Sequence, residues 1–322
     1  MSDSSHVPPL DPTSRVYVAG HRGLAGSAVW RELERRGFTD LVGVPSARLD
    51  LRDRPAVDRF FDEVRPAVVI DAAARVGGIL ANATQPADFL SDNVRIQVNL
   101  LDAAVRTGVQ RFLFLGSTCI YPRLAPQPIT EDALLTGPLE ETNDAYAIAK
   151  IAGVLHVQAI RRQFGLPYVS AMPTNLYGPG DNFSPTGSHV LPALLRRFHE
   201  AVRDAVPEVV CWGTGEPRRE FLHSDDFASA AVFLLEHYDD AAPINVGVGE
   251  DLTIRELAET VADVVGFRGS IVWDTTKPDG TPRKLLSVDR LTGLGWKASI
   301  PLREGIEQTY RWFLEHEGEV RS

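Results

Sequence analysis

The sequence is short of cysteine, of long apolar runs and of positive charge, and each shortage excludes something. Two cysteines in 322 residues, Cys119 and Cys211, cannot staple a small secreted domain. They sit in no Cys/His cluster at metal-ligand spacing, so no metal is expected. A chain this long buries about three quarters of its unfolded surface and folds without such staples. No apolar run approaches the roughly 20 residues that span a bilayer. The longest candidate, Pro66 to Leu80, carries Asp71 and Arg75. Lys+Arg 33 against Asp+Glu 43 leaves a net charge of -10, the wrong sign for coating nucleic acid or an anionic membrane. Residues 1–14 are polar and proline-bearing, with no basic or apolar region of a signal peptide. They are expected to form a flexible leader on a cytoplasmic protein.

From Arg15 onward, β-branched runs alternate with amphipathic stretches. The pattern predicts strands at Val16–Ala19, Leu41–Val44, Ala67–Ile70, Arg111–Leu115 and Tyr168–Ala171. Between them it predicts helices at Leu24–Arg36, Pro55–Val64, Asn93–Thr107 and Asp144–Phe164. Strands and helices over such short links imply a parallel sheet covered on both faces. Beyond Gly178 proline and glycine thicken and the alternation turns irregular, with no repeat of the first half. The expected fold class is α/β: a Rossmann-like doubly wound parallel sheet over 15–178, and a smaller, interleaved α/β substrate domain over 179–322 that lends segments to the sheet.

Gly20, Gly23 and Gly26 lie between the first strand and the first helix, spaced GxxGxxG. Such a turn lets backbone N–H groups and a helix N-terminus meet a pyrophosphate. The tip of the second strand, Val42 to Arg48, carries no carboxylate to take both ribose hydroxyls of NAD. With Arg22 in the glycine turn, a fork for a 2′-phosphate favours NADP, with NADPH as hydride donor. Leu24 opens the helix, and Asp50 with Leu51 is the candidate adenine contact.

Ser117 follows the fourth strand, and Tyr146 and Lys150 stand 29 and 33 residues further on. Four residues apart on a helix, tyrosine and lysine share a face. A tyrosine near its ordinary pKa of about 10 is a poor acid–base at neutral pH. The neighbouring ammonium is expected to favour phenolate and to hold the nicotinamide ribose. Ser117, at a strand's carboxyl end, is placed to donate to a substrate carbonyl.

On these residues the chain resembles the extended short-chain dehydrogenase/reductases that act on nucleotide sugars. Within them it is similar to the branch that converts GDP-4-keto-6-deoxy-D-mannose to GDP-L-fucose. The specific segments are Ala19 to Gly23, Gly116 to Pro122, Pro173 to Pro179, Ser188 to Val190 and Lys277 to Lys284. Thr118 replaces the second of a serine pair, and Ser46 stands where an arginine is common. The resemblance implies 3,5-epimerisation followed by reduction of the 4-ketone. It makes Cys119 and His189 the proton-exchanging pair beside Ser117, Tyr146 and Lys150. It extends the cofactor contacts to Ser46, Leu115, Pro173, Asn175, Leu176 and His189. For the GDP end it implies Asn175, Arg197, Trp212, Arg219 and Asp279, and it implies a homodimer through a four-helix bundle of the two long helices. Competing readings remain: His189 as a helix cap, Trp212 as core, Arg219 as an ion pair with Glu220. A related nucleotide-sugar 4-epimerase, dehydratase or 4-ketoreductase is the alternative function.

Overall fold

In the computed structural model, which describes residues 9–184, 187–277 and 279–318, the parallel sheet is built from six strands. The first eight residues of the expected leader, residues 185–186 of the loop before His189, and Pro278 lie outside the described residues. Strand β1 (Val16–Ala19) is apolar and buried throughout, as a strand covered on both faces must be. Helix α1 (Leu24–Arg35) follows the glycine turn, and Gly37 takes up the positive φ of 85° that turns the chain away. β2 (Leu41–Val42) is two residues shorter than expected. In α2 (Arg54–Val64) the Asp53 side chain caps Ala56 N–H with a proline in the first turn.

β3 (Val68–Asp71) sits one residue later than predicted. Its pairing with β1 runs from Val16↔Val68 to Ala19↔Asp71, which draws a charged residue into the sheet. α3 (Ile79–Thr84) leads into α4 (Pro86–Thr107), which starts seven residues before the expected Asn93, with proline at its first position and Asp88 in its first turn. β4 (Arg111–Leu115), α5 (Asp144–Phe164) and β5 (Tyr168–Pro173) complete the first half. The sixth strand comes from far along the chain. β6 (Asn175–Tyr177), α6 (Val190–Arg203), β7 (Glu208–Trp212), β8 (Arg218–Arg219), β9 (Phe221–His223) and α7 (Ser224–His237) intervene before β10 (Ile244–Val246) pairs with β5. The order is β10-β5-β4-β3-β1-β2, parallel throughout.

Alternate strand residues supply the two cores. Val16, Val18, Ile70, Leu113 and Leu115 pack toward α1 and α7. Tyr17, Val69, Phe112 and Phe114 pack with residues of α2, α4 and α5. Each fully buried side chain of this size contributes about 1.5–3 kcal/mol. The remaining elements are β11 (Leu252–Thr253), α8 (Ile254–Val265), β12 (Ser270–Asp274), β13 (Arg283–Lys284), α9 (Asp289–Gly293) and α10 (Leu302–Glu315). A third core joins α6, α8 and α10 beside the β7–β12 pair. Thr253 and Glu256 form a reciprocal capping box at the start of α8.

Glu220 knots the halves together. Its buried carboxylate accepts from the N–H groups of Val248 (2.6 Å), Gly249 (2.7 Å) and Leu286 (3.1 Å), while its carbonyl accepts from Asn175 Nδ2 at 2.8 Å. Arg219 therefore does not pair with Glu220; its guanidinium donates to the Arg218 carbonyl. No helix among the described residues is long and apolar enough to cross a membrane.

Candidate active site

The glycine turn is as tight as its spacing implies. Gly20 has φ +77°, and a Cβ there would lie 2.7 Å from the Ala72 carbonyl oxygen. A Cβ on Gly26 would overlap the Gly20 carbonyl, so helix and turn close only through bare backbone. Gly23 caps α1 without a side-chain bond, and no acid stands in the first turn. The helix N-terminus is thus free for an anion. Arg22, Ser46 and Arg48 are exposed. Positive charge beside the turn, and no carboxylate at the β2 tip, suit a 2′-phosphate. Asp50 is exposed and holds the Arg52 guanidinium bidentately at 2.8 and 2.9 Å. Leu51 is tied by its carbonyl to Asn99 Nδ2 at 2.8 Å.

Ser117 lies two residues past β4 and caps the 3₁₀ turn Thr118–Ile120, its Oγ accepting from Cys119 N–H at 3.3 Å. That turn packs on α5, which carries Tyr146 and Lys150. Cys119 is half-buried, and Asn143 Nδ2 donates to its Sγ at 3.3 Å. Burial raises Tyr146 above the usual phenol range, the nearby Cys119 pushes the same way, and a hydrogen bond with Ser117 pulls back. The expected lowering by Lys150 is not what the fold produces. Lys150 Nζ lies 6.0 Å from the Tyr146 ring centroid and donates instead to the Leu115 carbonyl at 2.7 Å. At neutral pH the phenol keeps its proton, the form a proton donor needs. Lys150 is itself 3% exposed, and burial lowers its pKa while Asp71 raises it.

His189 is the backbone cap of α6, but its side chain makes no capping bond. Its ring reaches solvent yet is walled by protein, and that desolvation disfavours the imidazolium. The neutral imidazole is the form its surroundings favour. The loop from Ala72 to Gly78 runs from the glycine turn to the residue before His189, past the Phe89 ring. Ala72 abuts Gly20, Gly77 abuts the Phe89 ring that meets Tyr146 edge-on at 6.3 Å, and Gly78 abuts the Ser188 carbonyl.

The residues expected at the nucleotide end divide. Trp212 is 67% exposed with Lys277 Nζ 5.7 Å from its ring, so it is not core, whereas Cys211 beside it is 2% exposed and is. Arg197 donates to the Val210 carbonyl at 2.9 Å on the same edge. Asp279 is engaged by Thr214 N–H at 2.7 Å and Thr214 Oγ1 at 2.9 Å, and so shapes a loop. Arg219 is partly buried near Gly280 and Glu140. Asn175 gives its amide to Glu220, and Leu176 and Pro173 continue along β6 and β5. Sequence reasoning missed Asn143 and Asp71. Only Asn143 carried a signal: an asparagine just before a helix, three residues from Tyr146.

Residues 16–248 match the NAD dependent epimerase/dehydratase family. Over 307 residues, 95% of this chain and 94% of the other, the sequence is 56% identical to a probable GDP-L-fucose synthase 1 of Oryza sativa subsp. japonica. Over 316 residues, 95% and 98% of the two chains, it is 54% identical to a GDP-L-fucose synthase of Escherichia coli K12. A solved GDP-L-fucose synthetase from Naegleria fowleri bound to NADP matches with a TM-score of 0.91 at 32% identity, covering 99% of this chain and 98% of that one. The chain belongs to the NAD dependent epimerase/dehydratase family, in the branch of the GDP-L-fucose synthases.

Proposed function

We propose that this chain is an NADPH-dependent epimerase-reductase that converts GDP-4-keto-6-deoxy-D-mannose to GDP-L-fucose. The observation that carries the reading is an ionisable thiol, Cys119, on the same turn as Ser117 and electrostatically felt by Tyr146. A ketone reductase needs Ser117, Tyr146 and Lys150 alone; a thiol among them adds proton exchange at carbon.

When bound, NADPH supplies hydride to carbon 4 of the sugar. Gly20, Gly23, Leu24 and Gly26 would hold its pyrophosphate, Arg22 and Ser46 its 2′-phosphate, and Lys150 its ribose. Ser117 donates to the carbon-4 ketone, which acidifies the protons on carbons 3 and 5. Cys119 and His189 exchange those protons on opposite faces of the ring, one accepting as the other donates. Ser117 and Tyr146 hydroxyls stabilise the enolate oxygen between removal and return. Tyr146, held protonated by its surroundings, then passes its proton to the carbon-4 oxygen. Arg197, Arg219 and Trp212 serve the anionic, aromatic GDP end, and binding there orients the ring.

The proposal includes a homodimer and residence in the cytoplasm. Ile148 (46% exposed), Ala152 and Leu155 (40%) form an apolar stripe on the outer face of α5 beside α4, which supports pairing of these helices. The direct test follows NADPH absorbance with GDP-4-keto-6-deoxy-D-mannose against a panel of other keto sugars. Consumption confined to the GDP substrate, yielding GDP-L-fucose, is expected. Equal rates across the panel, or a product with unaltered carbons 3 and 5, overturn the assignment.

A further inference from the structure

Asp71 is the charged group the mechanism leaves unused. It closes β3, is 1% exposed, and stands in register between Ala19 of β1 and Phe114 of β4. Alternation along the strands puts it on the same sheet face as Val69, Phe112 and Phe114, the face α5 covers. Its Oδ1 accepts from Ala73 N–H at 3.1 Å. Its Oδ2 is buried and has no hydrogen-bond partner among the described residues. Phe114, its neighbour across the pairing, carries the ring over which Lys150 Nζ sits at 4.8 Å. Asp71 and Lys150 make no contact within 4.0 Å; they lie on either side of the Phe114 ring, and because an ion buried without compensation is costly, each is the charge that offsets the other's burial across that ring.

We propose that Asp71 is the counter-ion of Lys150, a positioning residue that keeps the lysine an ammonium and so sets the pH above which the reduction fails. The inference rests on the reductase role of Lys150 given above. Two titratable groups face the carboxyl group: Lys150 from α5 and Tyr17 from β1. Tyr17 is pushed further from ionisation by burial and by Asp71, so it stays neutral. Burial raises Asp71 to about 6, against the pull of Lys150 and of the Ala73 N–H. At neutral pH the carboxylate is therefore mostly charged. It opposes the desolvation that would strip Lys150 of its proton. Lys150 then stays an ammonium 6.0 Å from the Tyr146 ring centroid, the form that would hold a nicotinamide ribose.

The chain has four lysines, Lys150, Lys277, Lys284 and Lys297, so lysine labelled with ¹³C at Cε gives a readable titration on the free, full-length protein. Loss of one signal in Lys150→Arg assigns it. In the unmutated protein the Lys150 signal should show an extra inflection near pH 6 as Asp71 ionises. In Asp71→Asn the Lys150 midpoint should fall by about one unit or more, the usual effect of losing a close opposite charge. The alkaline limb of kcat for keto-sugar reduction should fall by the same amount, with KM little changed. Asp71→Leu should reproduce both shifts in an apolar shape. No inflection in the unmutated protein, or an unmoved Lys150 midpoint in a folded variant, overturns the pairing. A moved midpoint with an unmoved kcat limb overturns its part in the reaction. The lysine titration uses no sugar, so an error in the substrate assignment shows separately, as an inactive unmutated enzyme.

Discussion

Asn143 donates its side-chain amide to the sulfur of Cys119 across 3.3 Å. The contact fixes the thiol's direction from the residue that caps α5. Asn143 Oδ1 is itself buried and without a hydrogen-bond partner among the described residues. Cys119→Ser should abolish solvent deuterium uptake at carbons 3 and 5 and leave NADPH binding intact. Mass spectrometry of recovered sugar and fluorescence titration of the cofactor check the two halves. Full deuterium incorporation removes Cys119 from the proposed chemistry.

Tyr146→Phe deletes a hydroxyl whose proton the burial described above retains. NADPH oxidation should fall about 10²–10⁴-fold, the usual worth of a positioned acid. Deuterium exchange should fall less, because Ser117 still donates to the enolate oxygen. Equal losses in both assays would show that the two steps do not separate at this residue.

Arg22 is exposed beside the glycine turn, and Gly43 gives β2 room against the His21 ring. Arg22→Ala should raise KM for NADPH roughly tenfold or more, as expected for a lost charge-assisted pair. KM for NADH should barely change. Parallel changes for both cofactors would assign Arg22 to the pyrophosphate instead.

Asp181 follows Gly180 and is buried, with Oδ1 taken by Asn182 N–H at 2.7 Å and Oδ2 unpartnered among the described residues. Burial lifts its pKa from 3.8 to about 7. An acid raised on folding costs nothing below its unfolded pKa. Its penalty grows through that window and is complete above the folded value. Asp181→Asn should therefore stabilise the protein at pH 8 by about 2–4 kcal/mol, at about 1.4 kcal/mol per unit. The gain should vanish toward pH 4. Urea unfolding at the two pH values checks it; a gain independent of pH would refute the cause.

What could be read without a fold was what depends on neighbours in the chain. The Gly20–Gly26 turn, the four-residue step from Tyr146 to Lys150 and the bounds of α5 are local patterns, and the structure keeps them. The start of α4 lies seven residues before the apolar period becomes plain at Asn93, with Pro86 as the first helical residue. Asp71 was invisible as a strand residue because only pairing with Ala19 and Phe114 draws a carboxylate into the sheet. The phenol's protonation was misjudged for a related reason: spacing shows that Lys150 shares a face with Tyr146, but not that a carbonyl claims the ammonium. For Trp212 the sequence leaves the GDP end and the core as competing readings, and its position on the edge of β7 excludes the core.

The last strand of the large sheet, β10, is synthesised about seventy residues after the β5 edge it covers. A nascent chain on the ribosome must therefore carry Ala171, Met172 and Pro173 as a bare, apolar strand rim until residue 246 emerges. Any premature stop in that interval releases a protein with a sticky border and no means of sealing it. Translation through this stretch is where a chaperone has most to guard.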